Sequence, residues 1–445
     1  MAPIESKNKK AWRRESDLPS LSEVHSSIPI PLNGWFKKLF AFSGPGLLVA
    51  VGYMDPGNWA TDLAAGAKFG YKLLFVILLS NLMAMLLQHL SLKLGIVAHR
   101  DLAQACRDHY SRPVNFILWI LCEIAIGACD LAEVIGSAIA LNLLFHIPLP
   151  VGIIITVLDV FIILYLQEKG FRRVEIIVAS LIAIVGISFL YEIIITQPQF
   201  SAIAMGFVPA TEIFSNKEML YIAIGILGAT VMPHNLYLHS SIVQTRNYLR
   251  NSKGKKEAIK FATIDSTFSL FLAFFINAAI LILSAAVFHG TENAWISDIS
   301  DAYKLLSPAV GDPWASTFFA IALLASGQNS TLTGTLAGQI VMEGFLDLRL
   351  KPWLRRLITR AVAIVPAMIV ALKYGEAGVG KLLVLSQVIL SLQLSFAVFP
   401  LINFTSSRDK MGEFVNSKSL IAISYITAFI IAGLNLYLVI QFVLN

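Results

Sequence analysis

From about residue 39 onward the chain alternates long apolar stretches with short polar loops. A bilayer core of about 30 Å is crossed by a helix of about 20 residues. Apolar stretches of that size fall near 39–69, 72–98, 114–144, 149–167, 175–196, 219–245, 261–288, 314–345, 354–373, 380–403 and 419–443, which predicts eleven transmembrane helices. Residues 1–38 are different: Lys7, Lys9, Lys10, Arg13 and Arg14 precede a Ser-rich run. No apolar core follows them at signal-peptide distance, so they read as a polar, cytoplasmic tail.

Two of the eleven stretches are interrupted. In the first span, Asp55-Pro56-Gly57-Asn58 breaks what would otherwise be one helix, because Pro56 lacks an N–H and Gly57 eases unwinding. In the sixth, Pro233 does the same within Thr230-Val231-Met232-Pro233-His234-Asn235. A helix broken in hydrocarbon exposes backbone polar groups at several kcal/mol each, so it is tolerated where they line a cavity or bind something. Breaks at matching positions of two five-span halves, 39–196 and 219–403, predict an inverted repeat whose binding site lies between them, with the span at 419–443 outside the repeat.

Composition agrees, with 56% hydrophobic and 14% charged residues against roughly 25% charged in a soluble domain. The net charge of +6 has a topological explanation. Only Lys68, Lys72, Lys217, Lys304, Lys373 and Lys381 fall in loops opposite the tail, and nearly all other Lys and Arg fall on the tail's side. The positive-inside rule then places the amino terminus in the cytoplasm and, after an odd number of spans, the carboxyl terminus outside. The basic excess therefore does not imply nucleic acid as a partner. Cys106, Cys122 and Cys129 lack zinc or CxxC spacing and read as core residues.

The residue types at the breaks suggest the ligand. Asp55 and Asn58 offer hard oxygens, which suit a cation. Met232 stands before Pro233, where its thioether and a freed carbonyl such as that of Ala229 would face them. A thioether disfavours Ca²⁺ and Mg²⁺ and suits transition metals; a Met in a membrane helix is otherwise a packing residue. Titratable residues within spans are functional candidates by default. Glu123, Asp130 and Glu133 share one stripe of the third span, with Arg246 and Arg360 as potential counter-ions; the competing reading is structural ion pairs. Asp62 reads equally as a vestibule charge or a solvated residue, and Asp159, Glu192 and Asp265 have no assigned role. His239 reads as a packed, hydrogen-bonded histidine.

Asp55-Pro56-Gly57-Asn58 and Met232-Pro233-His234-Asn235, with Gly327-Gln328-Asn329-Ser330 and Gln339-Ile340-Val341-Met342-Glu343-Gly344, resemble the signatures of the natural resistance-associated macrophage protein (Nramp) family. The resemblance implies an all-α polytopic membrane protein of the leucine-transporter-like fold, two inverted five-helix repeats with helices 1 and 6 broken, plus one extra helix. It implies proton-coupled import of Mn²⁺ and Fe²⁺ by alternating access, with no cofactor. The short tails and lack of an organelle address favour the bacterial cell (inner) membrane, and a monomer is expected. By resemblance, Asp55, Asn58, Met232 and the carbonyl of Ala229 bind the metal, Gln387 joins in some conformations, and protons pass Asp55, His234, Asp130, Glu133, Arg246 and Arg360. Trp59, Asp62 and Asn235 depart from the commonest bacterial pattern.

Other classes fit less well. A cation-coupled amino-acid symporter of the same fold would aim helix N-termini at a substrate carboxylate, which Asp55 would repel. An intramembrane zinc protease needs His-Glu-x-x-His, and the sequence has neither that motif nor a complete nucleotide-binding Gly-x-x-x-x-Gly-Lys-Ser/Thr loop. No enzyme activity is expected.

Overall fold

Proline at the first position of a helix costs no hydrogen bond, because that N–H has no intrahelical partner, and both breaks use this. The computed structural model describes residues 18–158, 170–292 and 298–443. Residues 1–17 of the predicted tail, Asp159 and the rest of the predicted fourth span to residue 167 lie outside them. The first span opens with α1 (Trp35–Phe42), turns at Ser43-Gly44, and continues as α2 (Pro45–Gly52). Pro56 then starts α3 (Pro56–Phe69). The unwound stretch is Tyr53-Met54-Asp55, about a turn earlier than the sequence suggests. Pro56, Gly57 and Asn58 are the first turn of α3, and Asp55 is its N-cap.

Next come α4 (Leu74–Ala98), α5 (Leu102–His109), α6 (Arg112–Phe145) and α7 (Leu149–Ile155). α8 (Phe171–Thr196) and the short α9 (Phe200–Gly206) end the first half. The sixth span is α10 (Lys217–Thr230) and α11 (Pro233–Ile242), joined through Val231-Met232. α12 (Ser252–Phe288), α13 (Ile299–Val310) and α14 (Ala315–Leu346) follow. α15 (Pro352–Thr405) holds the ninth and tenth spans, which part at Gly375, where φ is +61° and the chain leaves helical geometry. α16 (Arg408–Met411) leads into α17 (Lys418–Val443).

Among the described residues, eight helices are long and apolar enough to cross a membrane, so this measure does not reproduce the count of eleven. The difference lies in three places. The broken first span is joined to the second within Pro56–Ala98, the fourth runs beyond the described residues, and α14 is too polar. α14 carries Ser326, Asn329, Ser330, Thr331, Thr333 and Thr335, all buried. Small polar residues let helices approach closely inside a membrane bundle, and α14 sits against α6, α8 and α11 rather than lipid.

Residues 18–29 do not hang free as a tail. Ser20 Oγ donates to Asp101 Oδ2 (2.7 Å), Leu21 N–H to Glu343 Oε2 (3.0 Å), and Ser26 N–H to the Gln244 carbonyl (3.0 Å). Ile28 and Pro29 pair in parallel with Arg246 and Asn247. The segment is a strap across one face, tying α5, the end of α14 and the end of the sixth span.

Candidate metal site

Three oxygens converge on one nitrogen at the centre of the bundle. Asp55 accepts the Asn58 backbone N–H (2.8 Å) as an N-cap, which turns the Asn58 side chain back toward the break. There Asn58 Nδ2 donates to Asp55 Oδ1 (2.8 Å), to the Ala229 carbonyl (3.1 Å) and to the Gly52 carbonyl (3.3 Å). Gly52 and Ala229 are the last residues and near-last residues of α2 and α10, whose ladders stop at the breaks, so their carbonyls are free to point inward. The amide group thus occupies the focus of a carboxylate and two carbonyls from both halves. Rotating it by half a turn presents Asn58 Oδ1 to the same point.

Two further oxygens, one on these residues and one on the adjacent Gln387, lack donors among the described residues. Asp55 Oδ2 and Gln387 Oε1 are buried and accept no hydrogen bond. Gln387 packs so tightly on the first turn of α3 that a Cβ on Gly57 would collide with its amide. An unsatisfied buried acceptor costs about 1–3 kcal/mol, a cost that a bound cation removes. Met232, within the second break, packs with Ala125, Cys129 and Leu390. Asp55, Met232 and Gln387 are all 0% exposed. Among the described residues no group of three His, Cys, Asp or Glu could hold a metal, and the donors gathered at this point are neutral apart from the Asp55 carboxylate.

Sequence reasoning missed Asn277, whose amide donates to the Tyr53 carbonyl (2.7 Å) and to Asn58 Oδ1 (3.3 Å), fixing the unwound stretch. An Asn within an otherwise apolar run was the available signal. Ser326 also holds this stretch, donating to the Met54 carbonyl.

The acids of the third span lie alongside. Cys129 Sγ is 3.8 Å from His234 Nε2 and 3.6 Å from Glu133 Oε1, linking His234 to the acids. Glu133 accepts from Ser330 (3.1 Å) and stands 3.5 Å from Arg360 Nη2. Arg360 also donates to Thr331 Oγ1 (2.7 Å) and contacts the Asp130 carbonyl at 3.5 Å. A Cβ on Gly334 would lie 2.6 Å from Glu133 Oε1, so glycine there makes room for the carboxylate. Glu123 lies farther along α6, half-buried, accepting from Trp119 Nε1 (3.1 Å).

Arg246 belongs to a different cluster. Its guanidinium meets Glu175 Oε1 at 2.6 Å and donates to the carbonyls of Ala41 (3.1 Å) and Ser43 (2.7 Å). Asp265 accepts the Gly44 and Gly46 N–H groups from the same turn (3.3 and 2.7 Å), which gives it a structural position. Asp62 and Glu192 are buried, so Asp62 is not a solvated residue. His239 is packed and hydrogen-bonded to Gln88 Oε1 (2.9 Å), as expected. On the face opposite the strap, a cavity of about 290 Å³ lies between Ala64, Tyr221, Ile222 and Val384. Lys68 and Glu218 pair at its rim. Val384 is one helical turn from Gln387 and Ala64 two turns from Asn58, so the cavity stands over the site.

Two half-helix pairs crossing at one buried polar point is the architecture of the broken-helix secondary transporters. The family model described as natural resistance-associated macrophage protein-like matches residues 46–441. A divalent metal cation transporter, MntH, of Listeria welshimeri is 62% identical over 433 residues, covering 97% of each chain. The crystal structure of the Eremococcus coleocola manganese transporter superposes with a TM-score of 0.87 at 43% identity, covering 94% of this chain and 90% of that one. MhsT in complex with L-phenylalanine, at 15% identity and a TM-score of 0.59 over 88% of this chain and 98% of that one, shares the fold alone. The chain belongs to the Nramp family.

Proposed function

We propose that this protein imports divalent transition metals, Mn²⁺ and Fe²⁺, into the cytoplasm by alternating access, accompanied by protons. The observation that carries the reading is the convergence of Asp55, Asn58 and the Ala229 and Gly52 carbonyls on one buried point, with Asp55 Oδ2 and Gln387 Oε1 lacking donors. The relatives named for divalent metal and manganese transport support it. The strapped face is the cytoplasmic one by its basic loops, which puts the carboxyl terminus outside. The protein works as a monomer in the bacterial cell membrane, without a cofactor. Metal enters from the cavity above Gln387, exchanges most of its water for the protein's donors and leaves when the strapped face opens. An inside-negative potential favours entry by about 2.3 kcal/mol per elementary charge per 100 mV.

The test is Mn²⁺ flux into proteoliposomes with and without an inward proton gradient, in the presence of excess Mg²⁺ and Ca²⁺. Flux that survives the excess and acidifies the lumen supports the reading, whereas block by Mg²⁺ at parity rejects the selectivity. Met232→Ala is expected to keep part of the Mn²⁺ flux while admitting Ca²⁺ or Mg²⁺ more readily, since a soft donor penalises hard cations. Unchanged competition curves in that variant would refute the role of the thioether.

Protons are assigned to His234, Cys129's neighbours Asp130 and Glu133, and Arg360, which sit in contact sequence beside the metal site. Glu133→Gln preserves shape and the Ser330 hydrogen bond but cannot exchange a proton. Its Mn²⁺ uptake should continue with proton entry reduced. Proton entry equal to wild type would return Glu133 and Arg360 to a structural ion pair.

A further inference from the structure

A cavity of about 620 Å³ opens on the strapped face where α5, α6 and the end of α14 meet. Arg107 lines it and is 5% exposed. Its Nη1 donates to the Glu343 carbonyl (3.2 Å) and stands 3.6 Å from Asp347, and Nε lies 3.8 Å from Asp108. Nε and Nη2 have no hydrogen-bond partner among the described residues. A buried guanidinium is costly unless its donors are used; Nε faces the buried Asp108 carboxylate, so Nη2 marks a place for an acceptor. Arg112 lines the same cavity at the first turn of the 34-residue α6, whose N-cap Ser111 makes no side-chain cap. A helix N-terminus adds its own attraction for an anion.

The apolar part of the cavity says which anion. Phe116 and Pro113 line it with Phe345 and Leu346. From Phe116, an exposed apolar stripe runs along α6 through Ile120 and Ile124, four residues apart each time. A free anion has no use for that stripe, but an acyl chain does. Basic pockets between helices at the cytoplasmic boundary suit anionic headgroups. We propose that this cavity binds the phosphate of an anionic phospholipid, with Arg107 and Arg112 on the headgroup and an acyl chain along Phe116, Ile120 and Ile124. Asp347 opposes an anion there: its Oδ1 stands 3.6 Å from Arg107 and 3.9 Å from Arg349, and with a side chain 40% exposed it has to turn from Arg107 to Arg349 as a headgroup enters. Because Arg107 bridges α5 to the end of α14, where Glu343 receives the strap, a bound headgroup braces the closed face. The inference uses the proposed function only to name that face cytoplasmic, and binding is read without metal.

The experiment is lipid retention by native mass spectrometry and thermal unfolding of the delipidated, detergent-purified protein, with phosphatidylglycerol, phosphatidylethanolamine or inorganic phosphate added. Phosphatidylglycerol should be retained and raise the midpoint, while the other two do neither. Arg112→Gln, at an exposed position that carries no structural bond, should weaken retention about fivefold, the equivalent of the ~1 kcal/mol a basic residue contributes near an anionic surface. Arg107→Gln should weaken it further. Arg112→Gln carries the test if Arg107→Gln does not fold. Equal retention of phosphatidylethanolamine, or wild-type retention of phosphatidylglycerol by Arg112→Gln, would overturn the site. An equal shift with inorganic phosphate would overturn the lipid as its ligand.

Discussion

Asp55→Ala is expected to abolish Mn²⁺ flux in proteoliposomes while the protein still folds and inserts. Asp55 supplies the fixed charge at a point where its nearest companions, the Asn58 amide and the Ala229 and Gly52 carbonyls, are neutral. Desolvating an ion costs several kcal/mol even after relaxation, and neutral dipoles alone replace only part of the lost hydration. A shortfall of about 4 kcal/mol lowers affinity roughly a thousandfold. The same substitution removes the N-cap of α3, at a cost of about 1 kcal/mol. Asp55→Asn separates the two effects, because it keeps a capping oxygen and loses the charge. Both variants should be silent in flux and in metal-binding calorimetry, with Asn nearer wild type in thermal stability. Flux within a few-fold of wild type in Asp55→Asn would show that the carboxylate is not the metal's counter-charge.

The breaks were legible because two prolines within apolar runs leave few alternatives in a membrane, and Asp55 and Met232 advertise themselves beside them. Their register was less so. Pro56 looks like the interruption, yet proline suits the start of a helix, so the unwound residues precede it. α14 reads as a span by length, but its buried Ser and Thr residues lower its apolarity because it faces protein on most sides. Pairings between distant segments left no periodic trace. Arg246 carries no local sign that its partner is Glu175 rather than an acid of the third span, and Leu21 none that its N–H will meet Glu343. The strap was invisible for the same reason: polar residues at the start of a chain look alike whether free or docked.

Arg246→Ala is expected to open the strapped face. Its buried guanidinium holds Glu175 Oε1 at 2.6 Å and the carbonyls of Ala41 and Ser43, the turn from which α2 descends to the candidate metal site. Breaking a buried pair by removing one partner costs about 3–5 kcal/mol, and the Arg172 Nη1 that stays 2.8 Å from Glu175 Oε2 puts this case at the lower end. α2 is eight residues long and α1 lies at the surface, with Trp35, Phe36 and Phe40 exposed. The cheapest relief is therefore movement of the first half-helix, which lets water reach Glu175, rather than unfolding of the bundle. Cys129, buried beside Met232, reports that movement. With Cys106 and Cys122 replaced by Ala, its labelling by a small thiol reagent should rise by about two orders of magnitude, the equilibrium equivalent of about 3 kcal/mol. Combining Arg246→Met with Glu175→Leu should recover part of the protection, since apolar replacement of both partners removes the pair together, while the buried Asp265 keeps the Gly44 and Gly46 N–H groups. The two carbonyls of the turn still lose their donors, so recovery should be incomplete. Labelling unchanged in Arg246→Ala would mean that this cluster does not hold the face shut, and that the strap across Asp101, Glu343 and Gln244 does so alone.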